Sequence, residues 1–230
     1  MDRVLLVTGA SSGIGKETAR AAASRGFRVA LAARSIDKLE SLVAEIGGPD
    51  RALAIACDVQ DEENQRAMVA SIGNHFGQLD AVFANAGRGG SAGGFSSADP
   101  AQWKDMLLTN VYGVGLTVQH CLPLLRESRG HVLLTGSVAG RVTIGGSMYS
   151  ASKWAVTAIG YGLREELRGS GIRVTLIQPG VVDTPFFDQL PGDALQPADV
   201  ANAVIYALAQ PAHVDVNEIV VRPTPPIAKS

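Results

Sequence analysis

The chain has 230 residues, 46% hydrophobic and 18% charged, with a formal net charge of −2. That size and apolar content suit one globular domain over residues 1–230 and exclude a disordered chain. The near-neutral balance carries no basic surplus or Lys/Arg run of the kind that nucleic acid or an anionic membrane surface calls for. Residues 1–3 lead straight into "VLLV", so no signal peptide is expected, and no apolar run approaches the ~18 residues of a membrane span. Cys57 and Cys121 lack metal-ligand spacing, and Cys57 ends an apolar run where a buried thiol is expected. A soluble protein of the reducing cytoplasm is the expectation, without a metal.

In chain order, short apolar or β-branched runs fall at 3–7, 27–33, 51–59, 80–84, 131–137, 172–178 and 218–221. Helical patterns separate them. In "SIDKLESLVAEIGG", Ser35 stands as N-cap, Ile36, Leu39, Leu42, Val43 and Ile46 form one stripe, and Gly47, Gly48 and Pro49 stop the helix. Near-continuous apolar strands, each followed by a helix, predict a parallel sheet covered on both faces, because parallel neighbours need a crossover. The expected fold is α/β, a doubly wound sheet of about seven strands. It ends in a Pro-rich tail, 222–230, that cannot continue a strand.

The first strand runs into "TGASSGIG" and then the helical "KETARAAASRG". Glycines at 9, 13 and 15 suit such a turn, since they accept φ > 0 and let a pyrophosphate reach backbone N–H groups at the helix N-terminus. Ser11, Ser12 and Ile14 complete this candidate cofactor loop. The second strand ends in Ala33, followed by Arg34 and Ser35, where an acidic side chain would bind ribose hydroxyls. A guanidinium beside a hydroxyl and a helix N-terminus favours a 2′-phosphate, hence NADP over NAD. Asp37 reads as a first-turn helix residue stabilised by the dipole.

These residues resemble the short-chain dehydrogenase/reductases of the Rossmann type through nearly the whole chain. "TGASSGIG" is similar to the family's cofactor loop, and "CDV" to its adenine-contacting segment, which implies Asp58 and Val59. "ANAG" is similar to its Asn-Asn-Ala-Gly turn, implying Asn85, Ala86 and Gly87 at the cofactor, with Ala84 in place of the first Asn. "TNVYG" supplies Asn110, "TGSVAG" Ser137 and "YSASK" Tyr149 and Lys153, while "QPGVVDT" resembles the nicotinamide segment and implies Pro179, Gly180, Val182 and Thr184. Two features depart from the pattern. Ser137 and Tyr149 are twelve positions apart, one fewer than is frequent in the family, and the glycine-rich "VAGRVTIGGSM" between them can absorb the difference. The ending "PAHVDVNEIVVRPT" lacks the frequent Asp-Gly-Gly and is more similar to the branch with 3-hydroxy acid and serine dehydrogenases.

The resemblance implies interconversion of a carbonyl and its alcohol. Tyr149 is then the proton donor and acceptor, Ser137 holds the substrate oxygen, Lys153 lowers the phenol pKa and binds the nicotinamide ribose, and Asn110 positions a water. An i, i+4 pair shares one helix face. Lowering a phenol pKa from ~10 to near 7 takes roughly 4 kcal/mol, and an ammonium ~4 to 5 Å away at an effective dielectric of ~20 supplies roughly 3 to 4 kcal/mol. A cofactor-binding sensor without turnover is the alternative, and a lyase or dehalogenase on the same fold a third; the intact Asn110, Ser137, Tyr149 and Lys153 set speaks against both. His75, His120, His131 and His213 are scattered and receive no function.

Substrate loops are expected at 88–98, 138–148 and 184–196, with Val138, Val142, Met148, Phe186 and Phe187 beside Ser91 and Asp188. Arg88 and Arg141 are candidates for a substrate carboxylate. Small residues in the helix at 149–168, and the resemblance, imply a homotetramer or dimer.

Overall fold

A computed structural model describes residues 2–90, 92–186 and 193–225. Seven strands form one sheet: β1 (Val4–Thr8), β2 (Arg28–Ala33), β3 (Ala52–Ala56), β4 (Ala81–Ala84), β5 (His131–Thr135), β6 (Arg173–Pro179) and β7 (Glu218–Val221). Their order is β3-β2-β1-β4-β5-β6-β7, and every neighbouring pair is parallel. The chain leaves β1 for β2 on one side and returns to place β4 on the other. The C-terminal ends of β1 and β4 therefore flank a crevice at the point where the winding reverses, which is where doubly wound sheets bind ligands.

The helices are α1 (Gly13–Ser24), α2 (Ile36–Glu45), α3 (Glu62–Phe76), α4 (Gly94–Ser97), α5 (Pro100–Leu107), α6 (Gly113–Ser128), α7 (Met148–Glu166) and α8 (Pro197–Ala209). A π-helical turn, Leu108–Tyr112, joins α5 to α6. Alternate strand side chains face opposite sides. Leu6, Ala30 and Val82 pack with Met68 and Ile72 of α3 and Val118 and Cys121 of α6. Leu5, Val7, Leu31 and Phe83 pack with Leu39 of α2 and Val204 of α8. Two apolar faces explain why the strands read as continuous rather than alternating runs, and each fully buried Leu or Phe contributes about 1.5 to 3 kcal/mol.

Two strands are shorter than their apolar runs. β3 ends at Ala56, opposite the last residue of β2, Ala33. The chain then turns at Asp58, whose carboxylate accepts the Gln60 N–H at 3.0 Å. β5 ends at Thr135, and Ser137 begins a 3₁₀ turn over Val138–Gly140. The expected helix at Ser35 forms, though the Ser35 side chain makes no capping hydrogen bond. Cys57 and Cys121 are buried free thiols, pushed up by burial to about 11 and about 12. Phe187, Asp188, Ser91 and the tail beyond residue 225 lie outside the described residues. Among the described residues no helix is long and apolar enough to cross a membrane, and no cluster of ligands for a metal ion occurs.

Candidate active site

The glycine turn between β1 and α1 is built to leave backbone bare. Gly9 and Gly13 have φ of +68° and +53°, left-handed values that a side chain disfavours. A Cβ on Gly15 would sit 2.4 Å from the Gly9 carbonyl oxygen, and one on Gly13 2.9 Å from Thr184 Cγ2. Ser12 is the extended N-cap of α1, so the first N–H groups of that helix open onto the turn beside Ser11 and Ile14.

The ends of the central strands are tied together by Thr8 and Asn85. Thr8 Oγ1 accepts the N–H groups of Asn85 and Ala86 at 2.9 and 3.0 Å. Asn85 Nδ2 donates to the Thr8 carbonyl at 3.0 Å, and its Oδ1 accepts from Thr135 Oγ1 at 3.1 Å. Asn85, Ala86 and Gly87 thus lie against the glycine turn. Arg34 and Ser35 are exposed at the end of β2, and no partner holds the Arg34 guanidinium among the described residues. Asp58 and Val59 form the turn after β3, Val59 accepting from the buried Gln65 amide at 2.9 Å. Pro179 closes β6, and Gly180, Val182 and Thr184 follow it towards Gly13.

Tyr149 stands in the first turn of α7, which Ser147 caps by accepting the Ser150 N–H at 3.0 Å. One turn on, Lys153 is 5% exposed, and its ammonium donates to the Thr135 carbonyl at 2.8 Å. Ser137 is buried, and the Gln178 amide oxygen fixes its N–H at 2.7 Å. The three segments that carry Asn110, Ser137, and Tyr149 with Lys153 meet at the C-terminal ends of β4 and β5.

A family model described as short chain dehydrogenase matches residues 3–194. The chain belongs to the short-chain dehydrogenase family. It is 39% identical to an uncharacterized oxidoreductase of Staphylococcus saprophyticus over 229 residues, which covers 96% of this chain and 97% of that one. An alcohol dehydrogenase from the archaeon Thermococcus sibiricus, solved with 5-hydroxy-NADP, superimposes with a TM-score of 0.88 at 32% identity, covering 96% of each chain. A 3-ketoacyl-(acyl-carrier-protein) reductase from Brucella melitensis, solved with NADH, gives a TM-score of 0.89 at 28% identity, again over 96% of each chain.

In this short-chain dehydrogenase the electrostatics of the tyrosine depart from expectation. The phenol pKa is raised, to about 12, because burial disfavours the phenolate, while the Ser137 hydroxyl pulls it part of the way back. Burial also lowers Lys153, to about 8, which leaves the amine mostly protonated at neutral pH. Burial is the largest influence on both groups.

The Asn110 side chain is held in a hydrogen-bond network at the crevice. Its amide clamps Arg88, with Oδ1 accepting the Arg88 N–H at 2.9 Å and Nδ2 donating to the Arg88 carbonyl at 3.0 Å and to Ser152 Oγ at 3.1 Å. Its side chain thus ties the π-helical turn to Arg88 and to Ser152 of α7. Arg88 and Arg141, the two carboxylate candidates, are paired internally: Arg88 with Asp105, and Arg141 with Glu218 at 3.3 Å and Tyr161.

Sequence reasoning missed Gln178, Thr8 and Ser152. Gln178 is fully buried and bridges Ser137 N–H to Thr157 Oγ1. The signal available was an amide after the apolar Leu176 and Ile177 near the end of β6, since a buried amide requires partners.

Proposed function

We propose that this oxidoreductase is an NADP(H)-dependent enzyme that interconverts a ketone, aldehyde or 3-oxo acid and its alcohol, with Tyr149 as the general acid and base. The observation that carries the reading is the convergence of Ser137, Tyr149 and Lys153 beside a glycine turn whose bare backbone would be filled by any Cβ.

The residues present fit a dinucleotide phosphate. Gly9, Gly13 and Gly15 leave room for phosphates at the α1 N-terminus, and Asp58 and Val59 form the wall expected at the adenine. Arg34, exposed and without a carboxylate partner among the described residues, supports the 2′-phosphate and thus NADP. When bound, the nicotinamide supplies or receives the hydride.

The chain's own residues handle the proton and the charge. With its pKa pushed up to about 12, the Tyr149 phenol holds its proton at neutral pH and can give it to a carbonyl oxygen. Ser137 Oγ donates a hydrogen bond to that oxygen as negative charge develops there. Lys153 holds a positive charge next to the phenol, which favours the phenolate once the proton has left. In the reverse direction the phenolate takes the alcohol proton.

The same reading includes homo-oligomerisation to a tetramer or dimer, supported by an open groove of about 310 Å³ between α6 and α7 lined by Val118, Leu122, Ile159 and Leu163. The buried free thiols support a reducing, cytoplasmic setting. The test is NADPH oxidation, followed by its near-ultraviolet absorbance, across ketones, aldehydes and 3-oxo acids, with Tyr149→Phe as control. Turnover that requires Tyr149 is expected. NADPH binding without turnover on the whole panel would instead favour the sensor.

A further inference from the structure

Gly89 and Gly90 run beside the catalytic phenol. A Cβ on Gly90 would lie 3.4 Å from Tyr149 Cβ and 3.6 Å from Met106 Sδ, and one on Gly89 3.5 Å from the Phe186 ring. That ring meets the Tyr149 ring edge-on, with centroids 5.6 Å apart. Two successive glycines leave the backbone its greatest conformational freedom. Among the described residues no hydrogen bond reaches the backbone of either one. Where this stretch lies against Tyr149 is therefore governed by what holds Arg88, the residue before it.

Arg88 is held twice by one segment. Its N–H donates to Asn110 Oδ1 at 2.9 Å, and its carbonyl accepts from Asn110 Nδ2 at 3.0 Å, on the π-helical turn. Its guanidinium pairs with Asp105 Oδ2 of α5. The other carboxylate oxygen, Oδ1, accepts from the Gln60 amide, whose Nε2 also donates to Thr109 Oγ1 at 2.9 Å. Gln60 is fixed in turn, because its backbone N–H donates to Asp58 Oδ1 at 3.0 Å. The Asp105 carboxylate thus spans the gap between the turn after β3 and the chain that leaves β4 for Tyr149. With side chains 43% and 36% exposed, the Arg88 and Asp105 pair adds little to stability. What it adds is direction, since a guanidinium on one oxygen and an amide on the other leave the carboxylate one orientation.

Resting on the reductase reading above, we infer that Asp105 is a positioning residue for carbonyl turnover: gripped by Gln60, it fixes Arg88 and so sets the Gly89 and Gly90 backbone against the Tyr149 ring. Asp105 itself touches none of the reacting groups. A misplacement of about 1 Å at a reacting centre costs up to about 10²-fold in rate, so a lost grip shows in turnover before it shows in folding.

The test is Asp105→Asn, which keeps an acceptor for Gln60 and removes the charge that pairs with Arg88, set in a cycle with Arg88→Met. In each single variant kcat/KM for the carbonyl is expected to fall about tenfold, and no further in the double, because both break one contact. Asp105→Glu, which restores the charge, is expected to recover most of the loss. NADPH affinity by calorimetry and the unfolding midpoint are expected to stay near those of the parent. Additive losses in the double variant, no recovery in Asp105→Glu, or a kcat/KM within about twofold of the parent in Asp105→Asn overturns the inference and leaves the reductase reading intact. A second readout needs no turnover. Amide hydrogen exchange in a peptide covering Arg88 to Gly90 is expected to be about tenfold faster in Asp105→Asn, with the strands of the sheet unchanged. Unchanged exchange in that peptide also overturns the inference. A parent chain that binds NADPH and is silent on every carbonyl instead overturns the catalytic reading, and with it any part for Asp105 in turnover.

Discussion

The Lys153 ammonium lies over the face of the Tyr149 ring, 5.7 Å from its centroid, and donates a hydrogen bond to the Thr135 carbonyl at 2.8 Å. Burial then dominates both groups, pushing the phenol up to about 12 and the amine down to about 8. A neutral phenol is the form that carbonyl reduction uses, and a phenolate the form that oxidation uses. Carbonyl reduction is thus expected to be level near neutral pH, while alcohol oxidation rises towards about tenfold per pH unit on its acid side. Lys153→Met should move the oxidation limb to higher pH. Initial-rate profiles in both directions check this; a limb in the same place in Lys153→Met would separate the amine from the titration.

Tyr149→Phe keeps the ring against Phe186 and removes only the hydroxyl. General acid catalysis is worth about 10²- to 10⁴-fold, so kcat should fall by that order while NADPH affinity stays within about twofold. Calorimetric titration of NADPH checks the binding arm. Turnover within a few-fold of the parent would remove Tyr149 from its role.

Gln178→Leu tests whether Ser137 is held from below. The change strips the acceptor from the Ser137 N–H at 2.7 Å and leaves a buried donor unpaired, which costs about 1 to 3 kcal/mol. Expected are a lower unfolding midpoint and a kcat about tenfold down, with little change in the KM for NADPH. A fall in stability with kcat intact would make Gln178 purely structural. Gly136→Ala should behave alike, since its Cβ would lie 2.2 Å from Gln178 Oε1.

How much of this was legible depends on whether the signal was local. Apolar runs marked every strand, because both faces of the sheet are buried, and glycines 9, 13 and 15 marked the turn because backbone geometry requires them there. The Tyr149 and Lys153 spacing fixed a shared face. The end of β3 was misplaced because Cys57 and Val59 continue the apolar pattern past Ala56, where pairing with β2 stops, and that of β5 because Ser137 turns into the 3₁₀ turn after Gly136. What stayed hidden depends on contacts between distant segments. Nothing near Arg88 in the chain shows that Asp105 and Asn110 will claim its side chain and backbone, nor does Arg141 reveal Glu218 on β7. The balance between burial and charge at Tyr149 is likewise a property of the packed site.

Arg34→Ala should distinguish the two nicotinamide cofactors. Loss of a charge-assisted contact to a 2′-phosphate is worth about 1.5 to 3 kcal/mol, so NADPH should bind about ten- to a hundredfold more weakly. NADH, which lacks the phosphate, should bind about as before. Calorimetric titration of both cofactors measures the difference. Parallel losses for both would point to a disturbed α2, and no loss for either would leave the NADP preference without a cause.

His131 provides a prediction about stability rather than catalysis. It opens β5 at the end of the sheet opposite the crevice, is 1% exposed, and its Nε2 meets Thr175 Oγ1 at 2.7 Å. Nδ1 is buried without a partner among the described residues. Burial, with Arg173, Arg3 and Arg164 nearby, lowers its pKa from 6.5 to about 3, so the folded chain refuses a proton that the unfolded chain accepts. Stability from this group is complete above about pH 6.5 and declines as the pH falls towards about 3, with a slope of up to about 1.4 kcal/mol per pH unit. His131→Asn has nothing to titrate there. Its stability is expected to be lower than that of the parent at neutral pH, where a packed imidazole and its hydrogen bond are lost, yet to fall less steeply on acidification. Urea unfolding at a series of pH values between about 7 and about 4 gives both slopes, and parallel slopes would show that carboxylates alone set the acid sensitivity.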